Sequence, residues 1–394
     1  MKKIELLAPA GDLDSLKAAL TYGADAVYIG GKSFSLRYFA SNFTIDDIKE
    51  GVEFAHKLKR KVYVACNMVM HNENLNGIKE YLIALKKIDV DAVIISSVYM
   101  LKIAREIGLN AHMSTQLSLL NSESVNMFYD LGSTRCVLGR EASLENIQQI
   151  VKNSKAEIEV FIHGGMCSSL SGRCMLSYDM VGRDPNRGGC AHSCRWKYHL
   201  WDKEKQLFLD DDYFSMASKD LSLIEYIPAL IEAGVSSLKI EGRMKSINYL
   251  AFVVSAYRKI IDDYFEGNLQ DISHYSYYIE RWENRSLGLG FILGDVSKDE
   301  MINRFQDELS YPSAFVGIIR GYDKENKKAI LEVKNKIINN NRYFLFSPKH
   351  ESKEIIINNL AYGNLLIDTE TIAGRLVSFD FDGEIEEYDI LHTL

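Results

Sequence analysis

Up to about residue 265, short apolar runs rich in β-branched side chains alternate with stretches whose apolar positions recur every three or four residues. The first pattern suits strands buried on both faces, the second amphipathic helices. Strands are therefore expected at Ile4–Ala8, Ala26–Ile29, Lys61–Asn67, Asp91–Ser96, Asn110–Ser114, Arg135–Leu138, Glu157–His163 and Ser237–Glu241. Helices are expected at Leu13–Tyr22, Thr44–Lys57, Glu73–Lys87, Ser122–Leu131 and Ser143–Asn153. Thr44, followed by Asp46 and Asp47, and Ser143, followed by Glu145, have the chemistry of N-caps leading into acidic first turns. Apolar strands alternating with helices imply a parallel sheet, and eight of them close a (β/α)8 TIM-like barrel. A doubly wound sheet, which needs fewer strands and a switch point, ranks second.

The rhythm breaks between the seventh and eighth strands, where residues 164 to 236 form a long insertion. It holds an expected hairpin at Trp196–Leu209 and an expected helix near Leu221–Ala233. A long helix follows at Ile247–Phe265, then a polar stretch. Beyond Pro312 only short β-rich runs separated by turn residues remain: Ala314–Ile319, Ala329–Val333, Tyr343–Phe346, Glu354–Ile357 and Leu376–Phe379. The pattern divides the chain into a barrel over 1–270 with a cysteine-rich loop at 164–198, a linker at 271–311, and a small all-β barrel domain at 312–394.

Composition changes this picture little. With 47% hydrophobic and 25% charged residues, the 394-residue chain has the makeup of a globular protein with a sizeable core. Its start lacks a signal-peptide core and no segment reaches about 18 consecutive apolar residues, so a cytoplasmic protein with no membrane partner is expected. The net charge of −8 argues against a purely electrostatic nucleic-acid binder; contact with RNA would depend on a local basic patch.

The cysteines change it most. Cys167-x6-Cys174-x15-Cys190-x3-Cys194 packs four thiols into 28 residues, where an even spread of the chain's six would put fewer than one. Gly164, Gly165, Gly172, Gly182, Pro185, Gly188 and Gly189 allow that loop to fold back on itself. Four thiolates in a turn-rich loop suit tetrahedral Zn²⁺ or a [4Fe–4S] cluster. The paired C-x2-C knuckles of a zinc ribbon are absent and the uneven spacings favour a cluster, while zinc and redox-active thiols stay open. Cys66 and Cys136 lie inside expected strands and read as small buried hydrophobes.

The segment HGGMCSSLSGRCMLSYDMVGRDPNRGGCAHSCRWKY, His163–Tyr198, resembles the signature of the peptidase U32 family of collagenase-like proteases. Three further blocks carry the same resemblance: ELLAPAGDLDSLKAALTYGADAVYIGG at Glu5–Gly31, STQLSLLNS at Ser114–Ser122 and SLKIEGRMKS at Ser237–Ser246. The runs FVGII at Phe315–Ile319 and EVKNK at Glu332–Lys336 look like the C-terminal extension of the longer members. The family includes chains named as collagenases and oxygen-independent hydroxylation systems. The latter carry a [4Fe–4S] cluster on four cysteines and act on tRNA wobble uridine with prephenate as hydroxyl source, on a ribosomal RNA cytidine, or on ubiquinone precursors. The resemblance thus implies 5-hydroxyuridine formation in tRNA, with Cys167, Cys174, Cys190 and Cys194 as cluster ligands. Hydroxylation of rRNA or a quinone precursor, a peptidase, and a metal-bound partner of a second U32 family subunit are the alternatives. No H-E-x-x-H or G-x-S-x-G motif supports a peptidase, although a Cys167–His163 dyad is conceivable.

Other residues join the candidate site by position. Arg173, Arg183, Arg187, Arg195 and Lys197 face only Asp179 and Asp184 within the loop; such forks suit phosphate or a dicarboxylate such as prephenate, or else offset a thiolate cluster. Among them Arg173, Arg187 and Arg195 are taken as substrate-binding, with Gln116 after the fifth strand and Lys245 after the eighth. Glu241 and Arg243, at the end of the eighth strand, and His163, at the end of the seventh, are the candidates for acid–base or anchoring roles at a barrel mouth; His163 also suits a hydrogen bond to a cluster sulfur. Trp196 and Tyr198 suit packing or base stacking.

Overall fold

A computed structural model describes residues 4–35, 42–203, 205–206, 213–282, 286–294 and 315–394. It separates into two compact units, Met1–Leu309 and Ser310–Leu394.

In the first unit eight strands pair in parallel and close on themselves: β1 (Glu5–Pro9), β2 (Ala26–Gly30), β3 (Lys61–Cys66), β4 (Ala92–Ile95), β5 (Ala111–Met113), β6 (Arg135–Val137), β7 (Glu157–Gly164) and β8 (Ser237–Ile240). The ring is complete because β8 pairs with both β7 and β1. Most positions of these strands are buried, since one face meets the barrel interior and the other the helices; that explains the unbroken apolar runs. Leu7, Ala26, Tyr28, Tyr63, Ala92 and Ile94 form one interior layer.

Helices α1 (Leu13–Thr21), α2 (Ile45–Lys57), α3 (Ile78–Lys87), α4 (Val98–Ile107), α5 (Ser122–Leu131) and α6 (Leu144–Asn153) cover the outside. Thr44 and Ser143 cap α2 and α6 as expected, and Thr44 forms a reciprocal capping box with Asp47. The insertion carries a short helix, α7 (Leu176–Val181); α8 (Ile227–Glu232) precedes β8, and α9 (Ile247–Glu266) follows it.

Three expectations need correction. The helix anticipated at Leu221–Ala233 begins as a strand, Asp220–Ser222, which runs antiparallel to the end of β7 at His163 and Gly164; helix starts only at the turn before Ile227. The region taken as linker carries regular structure where it is described: α10 (Ile272–Trp282) packs on α9, where the Tyr275 hydroxyl donates to Asp263 Oδ2 at 2.8 Å, and Leu287–Gly288 pairs with Asp220–Leu221; residues 283–285 and 295–311 lie outside the described residues. The anticipated hairpin is a two-residue ladder, Trp201–Asp202 against Lys205–Gln206; residues 204 and 207–209 lie outside the described residues.

The second unit is entirely antiparallel, as its β-rich pattern anticipates. Strands β9 (Phe315–Asp323), β10 (Lys328–Val333), β11 (Arg342–Phe346), β12 (Lys353–Ile356), β13 (Asn358–Tyr362), β14 (Leu376–Asp380) and β15 (Ile390–Thr393) join in the order β12-β11-β15-β9-β10-β14-β13. They curl around one core that includes Val316, Leu331, Tyr343, Leu360, Phe379 and Leu391. Among the described residues no helix is long and apolar enough to cross a membrane.

Candidate functional site

The interior of the barrel holds charge as well as apolar side chains. Glu159 of β7 is fully buried, accepting from Lys239 Nζ at 2.7 Å and from Arg135 at 3.1 Å; Arg135 also pairs with Glu5 at 2.5 Å, and the Tyr63 hydroxyl donates to Glu5 at 2.7 Å. Burial pushes the Glu159 carboxyl up, but Lys239 and Arg135 outweigh it and hold the group below the usual carboxylate range. Lys239 in turn lies 4.4 Å from the centre of the Tyr28 ring and 5.3 Å from that of Phe161. Those two rings line the floor of a cavity of about 200 Å³ at the C-terminal ends of the strands, where barrels build their sites.

The loop after β7 lines this cavity from Gly165 to Arg195, and all four clustered cysteines take part. Its departure from β7 depends on glycine: Gly164 has φ +100°, and a Cβ there would stand 2.5 Å from the Glu241 carbonyl oxygen. The Glu241 carboxylate accepts the Gly165 backbone N–H at 3.1 Å, which ties the start of the loop to the end of β8. Further on, α7 and the turn at Pro185–Arg187, capped by Asp184, reverse the chain and return Cys190 and Cys194 to the same cavity.

All six cysteines are unbridged. Cys66 and Cys136 are buried, each pushed up to about 12 by desolvation, and neither lines the cavity. The clustered four are half-buried or exposed. Burial also raises the Cys167 thiol, Ser169 N–H donation lowers it, and Cys194 and Cys174 are close enough to raise it further. The Leu176 N–H donates to Cys174 Sγ at 3.3 Å. Backbone N–H groups aimed at sulfur are what a thiolate ligand set needs once it is deprotonated. Among the described residues no three Cys, His, Asp or Glu side chains are grouped to hold a single metal ion. Four sulfurs around one cavity are the donor set that a four-iron cluster, with one cysteine per iron, would take.

Several expected substrate-binding residues meet here and others do not. Gln116 lines the cavity with its amide fixed: its Oε1 accepts from Ser114 at 2.6 Å and Asn67 at 2.8 Å, and its Nε2 donates to the Asn67 carbonyl at 2.9 Å. Arg195, Glu241 and Arg243 line it too. Arg243 is buried and donates to Ser35 Oγ at 3.0 Å while lying across Gly30, where a Cβ would stand 1.9 Å from its guanidinium. Arg187 instead pairs with Glu73 at 2.8 Å beside a separate depression, Lys245 lies 3.6 Å from Asp220, and Arg173 is exposed outside the cavity.

His163 is placed differently from the acid–base role considered for it. The register of β7 against β8 shifts between Lys239 and Ile240, and the His163 ring packs against Tyr249 and Tyr257 of α9. It is fully buried, its Nδ1 is 3.2 Å from the Tyr257 hydroxyl, and it does not line the cavity. Sequence reasoning missed Tyr28, Phe161 and Arg140 and read Asn67 as structural. Arg140 follows the end of β6 by three residues, as Arg243 follows the end of β8, and that parallel was the available signal.

A parallel (β/α)8 barrel with a four-cysteine loop folded over its catalytic end, joined to an antiparallel β-domain, defines the class. The chain belongs to peptidase family U32: that family's model matches residues 11–302, and the model of the peptidase family U32 C-terminal domain matches residues 312–392. The chain is 43% identical over 361 residues to tRNA hydroxylation protein P1 of Bacillus subtilis, covering 89% of this chain and 85% of that one. It is 37% identical over 264 residues to a 23S rRNA 5-hydroxycytidine synthase of Escherichia coli, covering 67% of this chain and 40% of that one. A collagenase of Porphyromonas gingivalis is 32% identical over 333 residues, 79% of each chain.

Proposed function

We propose that this chain is an RNA hydroxylase that makes 5-hydroxyuridine at the wobble position of tRNA, independently of oxygen, with a [4Fe–4S] cluster on Cys167, Cys174, Cys190 and Cys194 and prephenate as hydroxyl donor. The observation that carries the reading is the meeting of four thiols with Arg140, Arg195 and Arg243 around one cavity at the barrel mouth. The 43% identity to a tRNA hydroxylation protein supports tRNA over the ribosomal substrate named for a more partial match. A bound cluster would supply one-electron chemistry or a Lewis-acidic iron. The chain's own residues do the rest. The Ser169 N–H donates to the Cys167 sulfur and the Leu176 N–H to the Cys174 sulfur, and Glu241 fixes the loop through Gly165. Gln116, held by Ser114 and Asn67, keeps one amide hydrogen for a ligand.

The collagenase relative supports a peptidase as the second reading, but the dyad it would use is poorly served: the His163 imidazole is engaged with Tyr257 away from the cavity that Cys167 lines. Nucleoside analysis of tRNA tests the choice. In a strain lacking the gene, 5-hydroxyuridine is expected to disappear and to return with the wild-type chain but not with Cys167→Ser. An unchanged nucleoside profile in the deletion strain would overturn the proposal.

A further inference from the structure

Arg140 is a guanidinium in an unusual setting. Its carbon lies 3.7 Å from the centre of the Phe161 ring, so the fork is held flat against the cavity floor. Among the described residues no hydrogen-bond acceptor or carboxylate lies within bonding reach of it. Both nearby carboxylates are otherwise engaged: Glu141 accepts from the Ser171 backbone N–H at 2.6 Å and its hydroxyl at 3.0 Å, and Glu241 accepts from Gly165. Its five N–H donors therefore face the cavity with no protein acceptor and are open to an acceptor that enters it. Desolvation pulls the Arg140 guanidinium below its ordinary value, against the opposing pull of Glu241.

A second fork shares the cavity. The Arg195 side chain also makes no hydrogen bond or ion pair within the described residues, and it reaches Gly165 from the loop, its Nη2 standing 3.3 Å from where a Cβ there would be. Two guanidiniums without a side-chain hydrogen bond or ion pair among the described residues, one on the barrel and one on the loop, line one cavity of about 200 Å³ and suit two negative charges on a small molecule.

We propose that Arg140 anchors one carboxylate of a small dianionic co-substrate and that Arg195 holds the other, so that ligand binding also draws the cysteine loop onto the barrel. The choice of prephenate as the dianion to try rests on the proposed function; the anion site itself does not.

Isothermal titration of the full chain, prepared anaerobically with its metal, tests this with prephenate, with phenylpyruvate, which lacks the ring carboxylate, and with inorganic phosphate. Wild type is expected to prefer prephenate over both. Arg140→Met should weaken prephenate binding at least about tenfold, the least expected for losing hydrogen bonds between charged groups, and Arg140→Lys should fall between because it keeps the charge without the fork. The melting temperature of Arg140→Met without ligand should stay level, since no hydrogen bond or ion pair is lost and the methionine side chain can still pack on Phe161; an arginine with a purely structural role would lower it. Wild-type affinity retained in Arg140→Met would overturn the assignment. So would loss of iron from that variant with prephenate binding intact, because Arg140 would then serve only the cluster. Equal affinity for prephenate and phenylpyruvate, phosphate binding as tight as prephenate, or no binding by wild type would do the same. Absence of hydroxyuridine activity alongside Arg140-dependent prephenate binding would instead remove the tRNA reading and leave the anchor standing.

Discussion

Replacing Glu159 by Gln tests whether the buried charges hold the barrel together. Glu159 is the acceptor shared by Lys239 at 2.7 Å and Arg135 at 3.1 Å, all three almost wholly removed from solvent. Arg135 keeps Glu5 and Glu157 after the change, but Glu159 is the one carboxylate that pairs with Lys239 among the described residues. An ammonium stranded inside a barrel costs about 3–5 kcal/mol. With a urea dependence near 3 kcal/mol per molar for a unit of this size, the midpoint should fall by about 1–1.7 M. All three tryptophans, Trp196, Trp201 and Trp282, precede the β-domain, so tryptophan fluorescence follows the barrel unit alone. Adding Lys239→Met to Glu159→Gln removes the stranded charge and should recover part of the loss. A loss under about 1 kcal/mol in the single variant, or no recovery in the double, would refute the reasoning.

The same cluster sets an acid limit. The Glu5 and Glu159 carboxyls are pushed up by burial but held on balance below their ordinary value of 4.5, Glu5 chiefly by Arg135 and Glu159 by Lys239 and Arg135. Their contribution is therefore complete above about pH 5 and is lost as pH falls below the unfolded value. The fluorescence midpoint should decline from there toward about pH 3, less steeply in Glu159→Gln; a flat or rising midpoint would contradict this. Gly30→Ala places a Cβ 1.9 Å from the Arg243 guanidinium and 2.7 Å from Ser35 Oγ, so it should cost about 1–3 kcal/mol of barrel stability in the same urea assay; an unaltered midpoint would mean that Arg243 has room to move. Alkylation of the metal-free chain at pH 8, read by mass spectrometry, should modify Cys167, Cys174, Cys190 and Cys194 and spare Cys66 and Cys136 until the chain unfolds, because burial pushes those two thiols to about 12. Early labelling of Cys66 would contradict its burial.

The barrel was legible because each of its strands is buried on both faces and writes an apolar run that a helix-period stretch follows. α4 was not, because VYMLKIAREI begins with a β-branched and an aromatic residue directly after the run of β4; its N-cap Ser97 and left-handed Gly108 were the missed signals. α10 was hidden by a composition of Ser, Tyr and charged residues that resembles a linker, although Tyr275 and Ile279 supply a buried face.

Within the site, Gln116, Glu241 and Arg243 could be picked from their places just beyond strand ends, a rule that follows from barrel geometry. The same rule misled for His163, because a register shift between β7 and β8 turns the ring toward α9, and such a shift leaves no trace in an apolar run. Arg187 and Lys245 were drawn in by charge and neighbourhood, but their partners, Glu73 and Asp220, come from distant segments that one-dimensional reading does not bring together. Arg140 has the same offset from its strand end as Arg243 but no motif around it, and its stacking on Phe161 is the structural feature that marks it out.

The most direct test of the account is the iron and acid-labile sulfide content of the chain purified without oxygen. About four of each per chain are expected, falling together in Cys190→Ser, whose thiol is the most exposed of the four. One zinc and no sulfide, with the same yield of folded protein, would contradict the iron–sulfur reading.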